Sequence, residues 1–195
     1  MKYLLPLFLT STLFSNSLYL SSHIGYADKG SLDDTLSVQK ISYDKTIEGD
    51  FALGYKINAI RVEAEVAHLH RSIDALVEGD IRVQAEGEIL QNSYLFNTYY
   101  DATNHSKIIT SIGAGIGVSS VTLNNYQLLQ NPKTTVSTDL IPTAQASFAI
   151  GYKSTENLVT EIKYRYTSTL PFELEQEKLE ALSAHLFLVG IRYHF

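Results

Sequence analysis

The sequence predicts an all-β fold, an eight-stranded antiparallel transmembrane up-and-down β-barrel, and three observations carry that prediction. The stretch 184–195, A-H-L-F-L-V-G-I-R-Y-H-F, alternates with a period of two. Phe187, Val189, Ile191, Tyr193 and Phe195 form one wholly apolar row, while the other row carries Arg192, Gly190 and His194. A soluble edge strand seldom shows such a row, whereas a barrel strand between lipid and a polar lumen does. The second observation is the amino terminus. Met1 and Lys2 precede an apolar run over residues 3–14, followed by the small residues Ser15, Asn16 and Ser17. This is the pattern of a cleaved signal peptide, and the run is shorter than the roughly 20 residues a spanning helix needs. The expected division is therefore a signal peptide over 1–17 and a barrel domain over 18–195. The third observation is that the connections between strands alternate long and short, as in outer-membrane barrels.

The strands follow in order. Residues 18–26 set Leu18, Leu20, Ile24 and Tyr26 against Tyr19, Ser21, His23 and Gly25, and a long polar stretch runs over 27–48. Residues 50–57 point Phe51, Leu53, Tyr55 and Ile57 outward and Asp50, Ala52, Gly54 and Lys56 inward. Asn58-Ala59 has the chemistry of a tight reversal. Residues 60–71 show Val62, Ala64 and Val66 outward against Arg61, Glu63 and Glu65, and a polar stretch over 72–88 follows. Residues 89–100 place Leu90, Tyr94, Phe96 and Tyr100 toward lipid, with a short turn at 101–106.

The fifth strand, 107–119, carries Gly113, Gly115 and Gly117 on its inner face. Glycines at that spacing thin and curve a narrow barrel wall. A phosphate-cradling loop would need a lysine and a strand-to-helix context, which G-A-G-I-G lacks. After a third long connection at 120–141, residues 142–152 and 158–166 are the sixth and seventh strands, joined by a short turn. The seventh puts Glu161, Lys163 and Arg165 inward. A fourth long connection over 167–183 includes the helix formers of 171–182, with Leu174, Leu179 and Leu182 able to make one side apolar. Charges lie opposite the apolar row throughout, the reverse of a soluble ligand-binding barrel.

Composition narrows the function classes. The 195 residues carry a formal net charge of -6, which disfavours nucleic acid as a partner. With no cysteine there are no disulfides and no thiolate zinc site. Thirteen tyrosines and eight phenylalanines suit strands and aromatic girdles. No cofactor is expected, and neither catalytic nor metal-binding residues are assigned.

The inward charges Lys56, Arg61, Glu63, Glu65, Glu161, Lys163, Arg165 and Arg192 form a candidate network across a narrow lumen. In an eight-stranded barrel the interior is filled by side chains, and buried opposite charges must pair. The expected result is a plugged lumen. A narrow charged pore is the alternative. His68, His70 and Ser72 share the outward face near Glu86 and Glu88. Such a set has the members of an acyl hydrolase of the lipid A deacylase type, or more simply of polar side chains at headgroup level. A metal site from His68 and His70 lacks a third ligand. Function is therefore expected in the extracellular segments, on a rigid scaffold, as a non-enzymatic protein.

F-N-T-Y-Y-D at 96–101 and I-G-A-G-I-G-V at 112–118 resemble the paired signatures of bacterial surface-antigen barrels. Thr110-Ser111 stand where that family usually has Pro-Tyr. G-Y-K-I-N-A-I-R-V-E-A-E at 54–65 and V-G-I-R-Y-H-F at 189–195 are similar to its second hairpin and its end. The family includes the rickettsial major surface proteins and, more distantly, the opacity proteins and OmpA/OmpX-type barrels. The resemblance implies a surface antigen or adhesin in the bacterial outer membrane, with outer-membrane lipid as a partner and host or extracellular molecules as possible ligands of the loops. The apolar row ending at Phe195 likewise resembles the closing strand that barrel-assembly machinery reads during biogenesis.

Overall fold

The computed structural model describes residues 18–27, 30–33, 39–78, 81–103, 107–126, 134–174 and 177–195. The expected signal peptide, residues 1–17, lies outside the described residues. The elements are β1 (Leu18–Ala27), β2 (Gly30–Asp33), β3 (Gln39–Ile57), β4 (Ile60–Glu78), β5 (Ile81–Thr103), β6 (Ile108–Tyr126), β7 (Thr134–Lys153), β8 (Leu158–Thr169), β9 (Phe172–Leu174), β10 (Glu177–Leu179) and β11 (Ser183–His194). β2 continues β1 along the same edge of β3. From β3 to β8 each strand pairs antiparallel with the next, β8 pairs with β11, and β1 pairs with both β11 and β3. That pairing closes an eight-stranded barrel. β9 and β10 form a separate small hairpin.

Period-two alternation sets the two faces. Counted upward from the short-turn end, the first four outward positions on β11 are Tyr193, Ile191, Val189 and Phe187, and on β3 they are Ile57, Tyr55, Leu53 and Phe51. None of the outward residues at these positions on any strand is Asp, Glu, Lys or Arg. Ile57 to Ile47 spans ten residues, or about 25 Å along a tilted axis, which is the height of a lipid-facing band. The hairpin between β3 and β4 turns on Asn58 at φ 56, a left-handed conformation that asparagine tolerates.

The strands run much further than their lipid-facing pattern. β3, β4 and β6 have 19 residues, β7 has 20 and β5 has 23, whereas a tilted strand crosses the bilayer in about 9–11. Much of what the sequence presents as long polar connections at 27–48, 72–88 and 120–141 is strand. β1, β8 and β11, by contrast, have only 10 to 12 residues. The result is a one-sided wall of β3 to β7 standing about 20 Å above the membrane. Within it the pattern inverts. Leu69, Ile73, Ala75, Ile89, Val121 and Leu123 are buried inside, and the outward positions carry Ser72, Asp74, Glu88, Ser120 and Thr122.

The fourth connection is also not helical. The helix formers of 171–182 fold as the β9–β10 hairpin, tied down where Thr169 N–H donates to the Leu182 carbonyl at 3.0 Å and Leu182 N–H donates to Thr169 Oγ1 at 2.9 Å. Phe172 and Leu182 are buried at its base. Two apolar anchors spaced for a hairpin outweigh a helix propensity of a few tenths of a kcal/mol per residue.

β7 bends where it leaves the membrane. Its pairing with β6 slips between Ser119 and Val121, opposite Leu140 at φ 61, and Pro142 follows. An extra residue of this kind kinks a strand and sharpens its twist.

Candidate functional site

Two surfaces are built by the alternation, an interior of charges and an exterior of lipid-facing side chains. The interior comes first. Glu48, Asp50, Glu63, Glu65, Asp101 and Glu161 point inward. So do Lys56, Arg61, Arg71, Lys163, Arg165 and Arg192. Among the described residues these acidic and basic side chains match in number, six of each sign. All eight residues singled out in the sequence face the lumen. Two of their partners, Glu48 and Asp101, come from stretches that the sequence presents as connections.

Arg165, on β8, is the hub. Its guanidinium donates to Glu48, to Asp50 Oδ2 at 2.9 Å and to Glu65 Oε2 at 3.0 Å. These carboxylates come from β3 and β4, across the barrel from β8. Glu65 is held further by Asn97 Nδ2 at 2.9 Å and Gln145 Nε2 at 3.2 Å. Of the oppositely charged pairs expected across the lumen between β4 and β8, Arg165–Glu65 is the one that the structure joins directly. Such a carboxylate, with several donors, is satisfied without water.

Below the hub, His23 bridges β3 and β8. Its Nδ1 lies 2.7 Å from Asp50 Oδ1 and its Nε2 2.7 Å from Glu161 Oε1. Carboxylate oxygens only accept, so both bonds form when the ring carries both protons. Lys163 Nζ stands 3.3 Å from the same Nδ1, and Arg192 NH1 lies 3.3 Å from Glu161 Oε2.

Nearest the short turns, Arg61 Nε donates to Asp101 Oδ1 at 2.9 Å and its NH1 to Glu63 Oε1 at 2.7 Å. Tyr19 hydroxyl donates to the same Glu63 oxygen at 2.7 Å. Lys56 Nζ donates to Asp101 Oδ2 at 2.6 Å. The Arg61 guanidinium lies 4.4 Å from the centre of the Tyr99 ring, a cation–π contact. Above the hub the interior holds Arg71, whose NH1 donates to Gln91 Oε1 at 3.1 Å, and a group of hydroxyls. Ser93 and Ser119 are 2.8 Å apart, and Ser119 and Thr143 2.6 Å. The apolar layer of the wall lies over them.

His23, Glu48, Asp50, Arg71 and Asp101 are the buried lumen residues that sequence reasoning left out of the network. Glu48 lay in a stretch read as a loop and Asp101 in a stretch read as a turn. His23 and Asp50 were placed on the inner face but not assigned to the network. For Glu48, the signal was its even spacing from Asp50.

Outside, Phe187, Val189, Ile191, Tyr193 and Phe195 all point away from the lumen and are exposed. Tyr193 and Phe195 meet edge to face at 5.5 Å. On the opposite flank His70 Nε2 stands 3.7 Å from Glu88 Oε1, and Ser72 pairs across the ladder with Glu88. Among the described residues no hydrogen bond joins Ser72 to His70. No metal-binding group of three such ligands occurs among them either.

A closed barrel with a charged, buried interior and a largely apolar exterior belt free of Asp, Glu, Lys and Arg is a transmembrane β-barrel of the bacterial outer membrane. No protein-family profile matches the sequence, and no curated protein does. Solved structures resemble it in fold. Neisserial surface protein A matches with a TM-score of 0.64 at 14% identity, over 91% of this chain and 97% of that one. OprG from Pseudomonas aeruginosa matches at 0.57 and 13%, over 93% and 97%. Ail, the attachment invasion locus protein of Yersinia pestis, in complex with the heparin analogue sucrose octasulfate, matches at 0.52 and 15%, over 92% and 99%. The chain thus has the fold of small eight-stranded outer-membrane barrels of OmpA/OmpX-like architecture.

The lipid-facing assignment makes a prediction. Phe96, four residues above Tyr100 on β5, is 75% exposed at mid-belt. Phe96→Arg is expected to cost about 2–4 kcal/mol in lipid, against about 0–1 for Leu140→Arg at the outer rim. Denaturant unfolding from lipid vesicles measures both, and equal costs would mean that the apolar row does not face lipid.

Proposed function

We propose that the protein is a non-enzymatic surface protein, of the antigen or adhesin type, whose barrel is a shut anchor for an extracellular binding wall. The observation that carries this reading is Arg165 joined to Glu48, Asp50 and Glu65. A guanidinium spanning the lumen from β8 to β3 and β4 leaves little open width at mid-height, and small barrels are filled by side chains. The wall of β3 to β7 then offers the surface for host or other extracellular molecules. A scaffold this stiff suits recognition at its tip. The Phe187-to-Phe195 row fits recognition by barrel-assembly machinery, and the motifs at 96–101 and 112–118 favour the rickettsial surface-antigen branch.

Charge shapes the choice of partner. Residues 72–88 hold Asp74, Glu78, Asp80, Glu86 and Glu88 against one arginine, Arg82. Residues 171–182 hold Glu173, Glu175, Glu177 and Glu180 against Lys178. Ail was solved with a polysulfated ligand, whereas these segments would repel one. A neutral or cationic partner fits better.

The competing reading is a narrow pore, and conductance separates the two. Purified protein inserted in a planar bilayer is expected to be silent, with folding checked independently. Steady steps whose ion preference changes on Glu63→Gln would establish an open charged path and end the plug reading. The third reading, a lipid-directed hydrolase, lacks a bond from Ser72 to its base.

A further inference from the structure

Below Arg165 and the carboxylates it gathers, the lumen has more cations than anions. The described residues there are Lys56, Arg61, Lys163 and Arg192 against Glu63, Asp101 and Glu161. The carboxylates are already shared. Asp101 accepts from Lys56, Arg61 and Ser111, and Glu63 Oε1 from Arg61 and Tyr19. Glu161 Oε1 faces His23 Nε2. At Arg165 itself the surplus is carboxylate, so the two ends of the charged layer carry opposite excesses.

The cationic excess falls on Arg192. It is wholly buried on β11, with Ser21 of β1 and Val159 of β8 as its ladder neighbours. Its Nη1 forms an ion pair with Glu161 Oε2 at 3.3 Å. Among the described residues, none accepts a hydrogen bond from its Nε, Nη1 or Nη2. Its guanidinium lies 5.7 Å from the centre of the Tyr19 ring, and that of Arg61 lies 5.5 Å from the same centre. Arg61 Nη2, the hydroxyls of Ser21 and Tyr99, and Glu63 Oε2 are also buried without a hydrogen-bond partner among the described residues.

We propose that Arg192 and Arg61 hold a small inorganic anion, of the chloride class, in the lumen beside Tyr19. A guanidinium only donates. Water bridging these groups brings two hydrogens of its own, and among the described residues Glu63 Oε2 is the one acceptor-only atom there left open to them. An anion accepts from every donor and offers none. It also compensates a buried charge that is costly to leave unpaired. Size follows from the barrel. An eight-stranded interior is filled by side chains, so it admits a single atom where a phosphate or a carboxylate would displace Tyr19 or Tyr99.

The way in is from the short-turn end. There the charged groups acting on His194 are Arg192, Lys56 and Arg61, with Asp101 opposing them, and the Lys56 side chain is 22% exposed. Such a mouth draws anions toward the lumen. The bound ion is a fixed counter-ion that completes the plug, and it does not depend on what the wall above recognises.

Urea unfolding of the purified protein in vesicles of zwitterionic lipid tests the site. Chloride replaces gluconate at constant ionic strength, which keeps surface screening the same. Going from about 1 to about 300 mM chloride is expected to shift the equilibrium roughly tenfold toward the folded barrel, as for any ligand that binds only the folded state. Bromide should act alike, and Arg192→Met should abolish both shifts. In wild-type crystals soaked in bromide, an anomalous peak is expected within hydrogen-bond distance of the Arg192 guanidinium. That measurement needs no variant and decides the matter should Arg192→Met fail to fold. Equal stability in chloride and gluconate overturns the inference. A chloride effect that survives in Arg192→Met also overturns it, because the ion then sits elsewhere. So does density beside Arg192 with no anomalous signal, which is water.

Discussion

Arg165→Met is expected to destabilise the barrel by about 3–5 kcal/mol, the usual cost of stranding a buried charge by removing its partner. Here the effect should sit at the upper end, because one guanidinium holds Glu48, Asp50 and Glu65 together. The methionine matches the stem of the lost side chain, so packing changes little and electrostatics dominates. The control removes the stranded charges. Adding Glu48→Gln, Asp50→Asn and Glu65→Gln to Arg165→Met is expected to recover most of the loss, since buried ion clusters exchanged for neutral groups are often close to isoenergetic. Urea unfolding in lipid vesicles measures all three proteins. If Arg165→Met alone unfolds like the wild type, the cluster is not the girder of the lumen.

The second large effect is expected at Gly117. A Cβ there would fall on the backbone of β5, at the Tyr94 carbonyl oxygen and the Leu95 Cα, and a ladder cannot yield as a side-chain tip can. Gly117→Val is expected to cost about 3 kcal/mol or more through overpacking, seen as loss of the folded, heat-modifiable band. Gly49 is the reference, because nothing lies within 4 Å of its Cβ position. Gly49→Ala should leave unfolding unchanged. The contrast separates a glycine required by the closeness of two strands from one that merely faces outward. Equal tolerance at both positions would mean that β5 and β6 are not packed as described.

The faces of the barrel were legible in the sequence, and their length was not. Within the membrane every strand contrasts lipid with lumen, so Val62, Ala64 and Val66 against Arg61, Glu63 and Glu65 announce their sides. Above the membrane the solvent outside is water, and the contrast changes sign. Leu69, Ile73 and Ala75 turn inward and His70, Ser72 and Asp74 outward on the same strand. A reading tuned to apolar-outward alternation sees that reversal as the end of the strand. The lumen site suffered in the same way. Arg165 was recognisable as an inward charge, but two of its three partners were not assigned to it. Glu48 lay above the expected start of β3, and Asp50, though placed inward, had no visible mate. Alternation gives the side of the wall a residue occupies. It does not give the residue opposite, which depends on how far the strands are staggered around the barrel.

The unequal strands also bear on how the sheet is shut. Pairing between β1 and β11 extends from Tyr19 and His194 to Ala27 and Leu186, whereas β3 and β4 are joined from Ile57 and Ile60 to Gln39 and Glu78. The long ladders link neighbours in sequence and close small loops, so they can zip locally. The seam between the first and last strands closes the largest loop of all, and there the least ladder has to form. A newly made chain therefore leaves its most distant junction as its shortest stitch.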